Sequence, residues 1–285
     1  IVTAWEDRTN HTVIVLASTG SGKDTIGGDI ALLESLDRQK RIAWIMESGD
    51  QSEKRLTRAD RYYWDKRAYD LKPDGPGTQI PTRTIPGEFG HYKWNPKLRY
   101  PDGTKVETPK WTSNQLYFLG RQMEADPNLW ATGVGGALYG ARIDVGILSD
   151  IFTVENQMSP PEREKQWAWV HGTFLTRLDA GGRALFLGTR VAEWDNWGRL
   201  LREMVEDAEV VYQDRYYTKY DNGVAVVVVQ GIQTDDEGNE VSYWPEKFDL
   251  DAFLISPDKS EIRRRSELSK EQQKAAKDAA AALND

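Results

Sequence analysis

The feature that most constrains the fold is a glycine-rich segment between an apolar run and a helix-compatible run near the start of the chain. Residues 12–16 are apolar and mostly β-branched, which predicts a buried strand, and residues 24–36 are compatible with a helix. A second apolar run at residues 41–46 predicts another short strand. Strand, loop, helix and strand in this order build a parallel sheet covered by helices, so the sequence predicts an α/β fold.

The connecting loop has the composition of a phosphate-binding loop. Its glycines allow backbone N–H groups to turn inward, the following helix N-terminus adds partial positive charge, and Lys23 can reach the outer phosphates of a nucleotide. The usual pattern has serine or threonine directly after the lysine to ligate magnesium, whereas this chain has Asp24 and then Thr25. The alternative is a glycine-rich turn that contains a lysine by chance. The predicted nucleotide-binding residues are Ala17, Ser18, Thr19, Gly20, Ser21, Gly22, Lys23, Asp24 and Thr25.

A second acidic group is expected where a neighbouring strand ends. Residues 143–148 predict a strand, and Ser149 and Asp150 follow it directly. A nucleotide hydrolase usually has two acids here, one linked to the metal and one that orients the attacking water. We therefore predict that Asp150 serves in one of these two roles; the alternative is that it only caps a turn.

Both departures from the usual pattern have one common explanation. The usual site pairs a hydroxyl on the phosphate loop with a carboxylate on the second strand, and here Asp24 is on the loop and Ser149 is on the strand. We predict that the two have exchanged sides and form a hydrogen bond near a magnesium ion, with Asp24 supplying the charge. The competing interpretation is a site that binds nucleotide but hydrolyses it slowly. The predicted metal ligands are Asp24, Thr25, Ser149 and Asp150.

Composition excludes several other kinds of site. The chain has no cysteine and three histidines that lie far apart, which argues against thiolate zinc sites, cysteine nucleophiles and imidazole metal centres. A formal net charge of −8 argues against a surface that attracts nucleic acid everywhere. The longest apolar runs are far shorter than the roughly 20 residues of a membrane helix, so no membrane span is predicted.

The order of motifs along residues 12–250 resembles that of the large terminase subunits of tailed bacteriophages. The likeness begins in the segment that leads into Ser149 and Asp150 and continues downstream. The segments that carry it are 136–150, 159–163, 169, 176–178, 181–183, 188–190, 194–201 and 244–248.

This resemblance implies an additional-strand P-loop ATPase that drives double-stranded DNA into a procapsid. It implies ATP and Mg²⁺ as ligands, a homo-oligomeric ring on a portal protein, delivery by a small terminase subunit, and a location in the host cell cytoplasm. Lys23 matches the phosphate-loop lysine of the family, and Asp150 matches the acid that orients water. Thr189 matches a hydroxyl at a strand end that senses the γ-phosphate.

Three further positions follow from the same resemblance. Thr19 stands where many relatives carry an arginine, so the positive charge must come from elsewhere, and Arg142 is the nearest candidate, acting on a neighbouring subunit's nucleotide. The alternative for Arg142 is a salt bridge with Asp144 or another acidic neighbour. Glu155 is a weaker candidate for activating water, and the alternative is an acid in a loop.

DNA contacts are expected from two local basic clusters, because a translocating motor binds phosphates without reading bases. The first lies in a predicted amphipathic helix at residues 52–70, where a merely solvated helix face is the alternative; the second is an arginine triplet. The candidates are Lys54, Arg55, Arg58, Arg61, Lys66, Arg67, Arg263, Arg264 and Arg265.

The predicted organisation has three parts. Residues 1–205 form the ATPase core with a proline- and glycine-rich insertion at 72–110, residues 206–265 form a small β-containing subdomain, and residues 266–285 form a charged helical tail or linker. Within the subdomain, residues 224–229 and 241–244 are expected to pair as strands. Too few residues follow position 248 for the nuclease domain of the terminase family, so no nuclease activity is expected. The rival functions are a hydrolysis-impaired component of the packaging complex and, less favoured by the motif order, a small-molecule kinase.

Overall fold

A computed structural model describes residues 1–64, 85, 89, 92–94, 97, 99–107, 110–119, 125–138, 140–192, 194–235 and 237–243. The chain divides into two compact units, residues 1–229 and residues 230–285. The first unit is an α/β fold with a large, mostly parallel sheet flanked by helices, which confirms the predicted α/β class. In the described part of the second unit, β10 (Ile232–Thr234) and β11 (Glu240–Ser242) form an antiparallel ribbon.

The sheet of the first unit has nine strands among the described residues. Their order across the sheet is β3-β4-β2-β5-β6-β1-β9-β8-β7. The six central strands, from β4 to β9, run parallel, and β3, β8 and β7 are joined antiparallel at the two sides. The strands are β1 (Thr12–Ala17), β2 (Ile42–Met46), β3 (Gln115–Leu116), β4 (Leu129–Gly133), β5 (Ile143–Ser149), β6 (Leu178–Gly188), β7 (Val210–Gln213), β8 (Tyr217–Tyr220) and β9 (Val224–Val229).

Helices cover both faces of this sheet, which is why its central strands are nearly continuous apolar runs. Alternate residues of a strand face opposite sides, so the core forms two clusters. Val15 and Trp44 belong to the cluster on one face, and Ile14 and Phe186 belong to the cluster on the other. The helices are α1 (Val2–Glu6), α2 (Lys23–Ser35), α3 (Gly49–Trp64), α4 (Val154–Met158), α5 (Pro160–Trp169) and α6 (Asn196–Val205), with a π-helical turn at Val170–Phe174 and a 3₁₀ turn at Leu175–Arg177.

The C-terminal end of β6 packs against a tryptophan of α6. Trp197 is fully buried, and its indole N–H donates to the Phe152 carbonyl over 3.2 Å. A Cβ atom on Gly188 would lie only 2.1 Å from the Trp197 ring, so the close approach of α6 to the sheet requires glycine at this position.

Gly188→Ala is therefore expected to destabilise the protein by about 1–3 kcal/mol, because the added methyl group overpacks the contact with Trp197. Urea unfolding would measure the change. Gly172→Ala is the matched control, since a Cβ there meets no atom within 4 Å and no stability should be lost. Equal stability of the two variants would contradict the packing argument.

The sequence-based strand pairing in the second half of the chain is wrong. The strand β9 does not pair with residues 241–244; it lies between β1 and β8, whereas residues 240–242 pair with residues 232–234. The physical reason is that Val224–Val227 are buried on both faces of the strand, which a two-stranded ribbon cannot provide. The predicted boundary at residue 205 falls inside the first unit, because β7–β9 extend the main sheet.

Several sequence-based expectations lie outside the described residues. They concern most of the 72–110 insertion, the 244–248 segment and the 266–285 tail. The described part of the insertion includes Tyr92, which is buried and packs against Tyr63 and Phe118 with ring centroids 5.5 and 4.9 Å away. None of the described helices has both the length and the apolar character needed to cross a bilayer.

Candidate functional site

Four adjacent strands, β2, β5, β6 and β1, end at the same edge of the sheet, and the predicted site residues follow these ends. Lys23 begins the helix after β1, Asp150 follows β5 and Thr189 follows β6. In open α/β sheets, ligands bind outside the carboxyl ends of the strands. The topology therefore brings residues from distant parts of the sequence into one candidate site.

The glycine-rich loop between β1 and α2 has the backbone geometry of an anion cradle. Gly20 and Gly22 have φ values of 80° and 86°, in the left-handed region that favours glycine. Gly22 is the N-cap of α2, so the unpaired N–H groups of the first helical turn face the loop. The hydroxyls of Ser18 and Ser21 are buried without a hydrogen-bond partner among the described residues. The loop thus has unused donors beside a helix N-terminus, where phosphate oxygens bind well.

Lys23 and Asp150 face each other in this site. The Lys23 side chain is buried, and its Nζ lies 3.3 Å from Asp150 Oδ1. Burial raises the pKa of the Asp150 carboxyl above its ordinary value; Lys23 opposes this shift, and the Asp24 carboxylate adds to it. Asp150 has a φ of 47°, unusual for a residue other than glycine, and its N–H donates to the Leu187 carbonyl over 2.8 Å. A strained, half-buried acid with a raised pKa is typical of functional sites.

The predicted contact between the loop carboxylate and the strand hydroxyl is confirmed. The fully buried Ser149 hydroxyl donates to Asp24 Oδ1 over 2.5 Å. The other carboxylate oxygen of Asp24 accepts from Arg55 Nη2 over 2.6 Å. Arg55 was predicted only as a DNA contact, and the structure places it in the phosphate-loop site because its face of α3 is turned toward α2.

Thr189 connects the end of β6 to the phosphate loop. Its hydroxyl donates to the carbonyl of Ala17, the last residue of β1, over 2.8 Å. The next residue, Arg190, forms an ion pair with Asp195 over 2.9 Å, and Asp195 caps α6 by accepting from the Gly198 N–H. A change at the loop can thus reach α6 through a short chain of polar contacts.

Two predicted residues lie outside this constellation. Arg142 precedes β5, at the opposite end from Ser149, so about 20 Å of extended chain separates it from the site. Its side chain is 65% exposed and pairs with Asp179 over 3.4 Å, whereas Asp144 pairs with Arg41. The structure therefore shows the alternative for Arg142, a salt bridge with an acidic neighbour, and a role toward a neighbouring subunit's nucleotide stays a prediction.

Glu155 is exposed in the first turn of α4, and no hydrogen bond holds it toward the phosphate loop among the described residues. The carboxylate that does lie at the strand ends is Glu47, which directly follows β2 and which sequence reasoning missed. Its Oε1 accepts from Thr153 Oγ1 over 3.0 Å and from Asn156 Nδ2 over 3.4 Å. The signal that could have found it is the one that found Asp150, an acid placed directly after a buried strand.

A cleft of about 370 Å³, its open mouth included, lies between α2 and α3 beside Asp24. Trp44, at its base, has an indole nitrogen that is buried without a hydrogen-bond partner among the described residues. Because Asp24 and Arg55 line this cleft, both side chains border space that a ligand can enter. The cleft is lined by Asp24, Thr25, Gly28, Asp29, Leu32, Trp44, Arg55, Arg58, Ala59 and Tyr62.

The DNA candidates divide into described and undescribed residues. Lys54 and Arg58 are exposed on α3, and Arg61 lies on the same helix. The structure does not describe the side chain of Arg61, and Lys66, Arg67 and the triplet Arg263, Arg264 and Arg265 lie outside the described residues. Only Lys54 and Arg58 therefore have an established exposed position.

No protein-family model matches the chain, and no curated protein matches it either. The assignment of a function therefore depends on the motifs in the sequence and on the geometry of the strand-end site.

Proposed function

We propose that the chain is the ATP-hydrolysing motor domain of a viral terminase large subunit, which powers packaging of double-stranded DNA into procapsids. The observation that carries the proposal is the pairing of Lys23 with Asp150 over 3.3 Å. These two residues come from the phosphate-binding loop and from the end of a different strand. A lysine for the phosphates and an acid for water or metal are the two groups that ATP hydrolysis needs most.

The order of strands supports a P-loop ATPase of the additional-strand type. The strand β6 lies between β1, which leads into the glycine-rich loop, and β5, which leads into Asp150. The end of β6 carries Thr189, whose hydroxyl binds the loop at Ala17. The inserted strand thus places a polar residue between the two halves of the site, where a change at the γ-phosphate can reach it.

ATP binding requires Lys23 to change its partner. Its ammonium group, now beside Asp150, would move to the outer phosphates, while the loop N–H groups and the hydroxyls of Ser18 and Ser21 bind phosphate oxygens. The Asp150 carboxylate is then released from its ion pair with Lys23, and its oxygen atoms can accept a hydrogen bond from water at the γ-phosphate.

Asp24, Thr25, Ser149 and Asp150 are the residues that would hold Mg²⁺, directly or through its water ligands. Their oxygen atoms are the ligand type that magnesium prefers, and Mg²⁺ usually takes only one or two carboxylates besides substrate phosphates and water. No cluster of three or more His, Cys, Asp or Glu residues suited to a metal lies in the described part of the chain. The ion would supply charge neutralisation at the β- and γ-phosphates.

Arg55 is the positive charge that the phosphate loop lacks at Thr19. Its guanidinium is held by Asp24 over 2.6 Å and is close enough to influence the pKa of Asp150. An arginine in this position can neutralise charge that develops on the transferred phosphoryl group. We propose this role for Arg55 within the same subunit, with double-stranded DNA, the portal protein, the small terminase subunit and further copies of this chain as partners.

A hydrolysis-impaired nucleotide-binding component of the packaging complex is the second candidate. It is favoured by one observation, that Asp24 is bound on both oxygens by Ser149 and Arg55 and is not free to bind a metal without rearrangement.

Steady-state phosphate release from ATP and Mg²⁺, with and without linear duplex DNA, tests the proposal. We expect turnover that increases several-fold with duplex DNA. Absence of turnover at ATP concentrations that fill the site, with ATP binding measured separately, would contradict the motor function and favour the second candidate. Transfer of phosphate to an acceptor other than water would contradict both.

Removing Lys54 and Arg58 together is expected to weaken DNA binding without abolishing ATP turnover. Both side chains are exposed on α3, and each phosphate contact adds about 1 to the slope of log K against log salt. Fluorescence anisotropy with duplex DNA at several salt concentrations should show a slope smaller by about 2. The control variant, Lys165→Ala with Arg202→Ala, removes the same charge from α5 and α6 and should leave the slope unchanged. If the slope decreases equally in both double variants, the DNA contact is not specific to Lys54 and Arg58.

A further inference from the structure

We infer that Glu47 is the second strand-end carboxylate of this site and that it activates the attacking water together with Asp150. The inference rests on the proposed ATPase function. The strand β5 ends in one acid where nucleotide hydrolases of this kind have two, because Ser149 occupies the other position. Asp24 supplies the carboxylate for that metal-linked position, and the neighbouring strand β2 is followed directly by a further strand-end carboxylate, Glu47.

The register of the sheet brings Glu47 and Asp150 to the same edge. The last pair of the ladder between β2 and β5 is Ile45 with Leu148, and Glu47 and Asp150 each lie two residues beyond that pair, just after their strands end. Neighbouring strands lie about 4.8 Å apart. The chain turns at Asp150, where φ is 47°, and returns across the end of β2, because Thr153 contacts Glu47.

One oxygen of the Glu47 carboxylate is held and the other is not. Oε1 accepts hydrogen bonds from Thr153 Oγ1 over 3.0 Å and from Asn156 Nδ2 over 3.4 Å. Among the described residues, Oε2 has no such partner, and the side chain is half-buried. An acceptor that is fixed through one oxygen has its second oxygen available for a water molecule.

The groups that hold Glu47 are themselves fixed. Asn156 Oδ1 accepts from the Thr153 N–H and from Gln157 Nε2, each over 2.9 Å. Gln157 is fully buried, and its Oε1 accepts from the Asn196 N–H at the start of α6 over 2.8 Å. A side chain held by such a shell keeps its orientation through the reaction. Thr153 and Asn156 are therefore positioning residues for Glu47.

The chemical step balances with these groups. The water oxygen forms a bond to the γ-phosphorus and gives a proton to Glu47 Oε2, while Asp150 accepts a hydrogen bond from the same water. The bond between the γ-phosphorus and the bridging oxygen breaks, and the ADP oxygen keeps the electron pair. The proton on Glu47 then passes to solvent or phosphate, which restores the carboxylate.

The test is Glu47→Gln in the full chain, assayed for phosphate release, KM for ATP and thermal unfolding. Glutamine keeps an oxygen that accepts from Thr153 and Asn156, so we expect the unfolding midpoint and KM to change little while kcat falls by about 100-fold. Glu47→Asp keeps the charge on a side chain that is shorter by one methylene group. This variant should fold, and its kcat should lie between those of the wild type and Glu47→Gln.

Asp50→Asn is the matched control, because it removes the same charge from an exposed position three residues away and should leave turnover unchanged. If kcat of Glu47→Gln stays within threefold of the wild type while Lys23→Ala is inactive in the same assay, the role of Glu47 is overturned and the proposed ATPase is not. A large loss in Glu155→Gln instead would assign the water to α4 and also overturn it. A wild type without turnover would overturn both this inference and the proposed ATPase.

Discussion

Replacing Lys23 by alanine is expected to lower kcat/KM for ATP by about 1,000-fold or more. Removing one preorganised group that stabilises transition-state charge costs about 10²–10³ in rate, and Lys23 also contributes to binding the ground-state phosphates. The lysine is buried at the first position of α2, so water cannot replace its charge at the same place. The variant would also leave the Asp150 carboxyl without the cation that lies 3.3 Å from it.

Phosphate release and equilibrium ATP binding together measure this effect. Asp150→Asn is the informative comparison, because it removes the acid and keeps the shape; it should lose turnover while retaining ATP binding. Thermal unfolding of Asp150→Asn should stay near the wild type, since the Asp150 side chain is 36% exposed and asparagine keeps its shape. Turnover of the Lys23→Ala variant within tenfold of the wild type would exclude the loop as the phosphate site.

Exchanging the side chains of Asp24 and Ser149 is expected to restore activity that each single change removes. Ser149→Asp alone places a second carboxylate against Asp24, where the hydroxyl is now 2.5 Å from Asp24 Oδ1, and two carboxylates at this distance cannot both stay ionised. Asp24→Ser alone leaves no carboxylate in the pair and removes the partner of Arg55. Each single variant should lose about 100- to 1,000-fold in magnesium-dependent kcat.

The double variant, Asp24→Ser with Ser149→Asp, carries the hydroxyl on the loop and the carboxylate on the strand, as in the usual pattern. We expect its kcat to be within about tenfold of the wild type, so the double-mutant cycle should show a large favourable coupling between the two positions. Additive losses would mean that the two side chains act independently. Full magnesium-dependent turnover in Asp24→Ala would contradict a metal role for Asp24 altogether.

Local patterns in the sequence predicted the first strand, the phosphate loop, α2 and the second strand, because each depends on residues that are neighbours in the chain. The pairing of β9 could not be predicted in this way. An apolar run such as Val224–Val229 signals burial on two faces but not which strands provide the neighbours. Gly27 shows the same limit: glycine weakens an isolated helix, yet here a Cβ would lie 2.5 Å from Leu187, so the glycine lets α2 approach the sheet.

The site divides in the same way. Lys23 and Asp150 were predicted because loop and strand-end motifs have fixed spacing, and the contact between Asp24 and Ser149 followed from comparing two motifs with their usual form. Arg55 was assigned to DNA because the sequence does not show which face of a helix packs against the protein. Only the packing of α3 on α2 shows which face each cation occupies.

The sequence by itself determined the local geometry of the glycine-rich loop, since its glycines, its lysine and the helix start lie within nine residues and act locally. Only the tertiary structure decided which distant residues complete the site. Parallel strands bring their carboxyl ends to one edge whatever their separation along the chain, so β2, β5 and β6 deliver Glu47, Asp150 and Thr189 to the edge at which Lys23 begins α2. The same geometry places Arg142 at the far edge, because a strand that carries Ser149 at one end must carry Arg142 at the other.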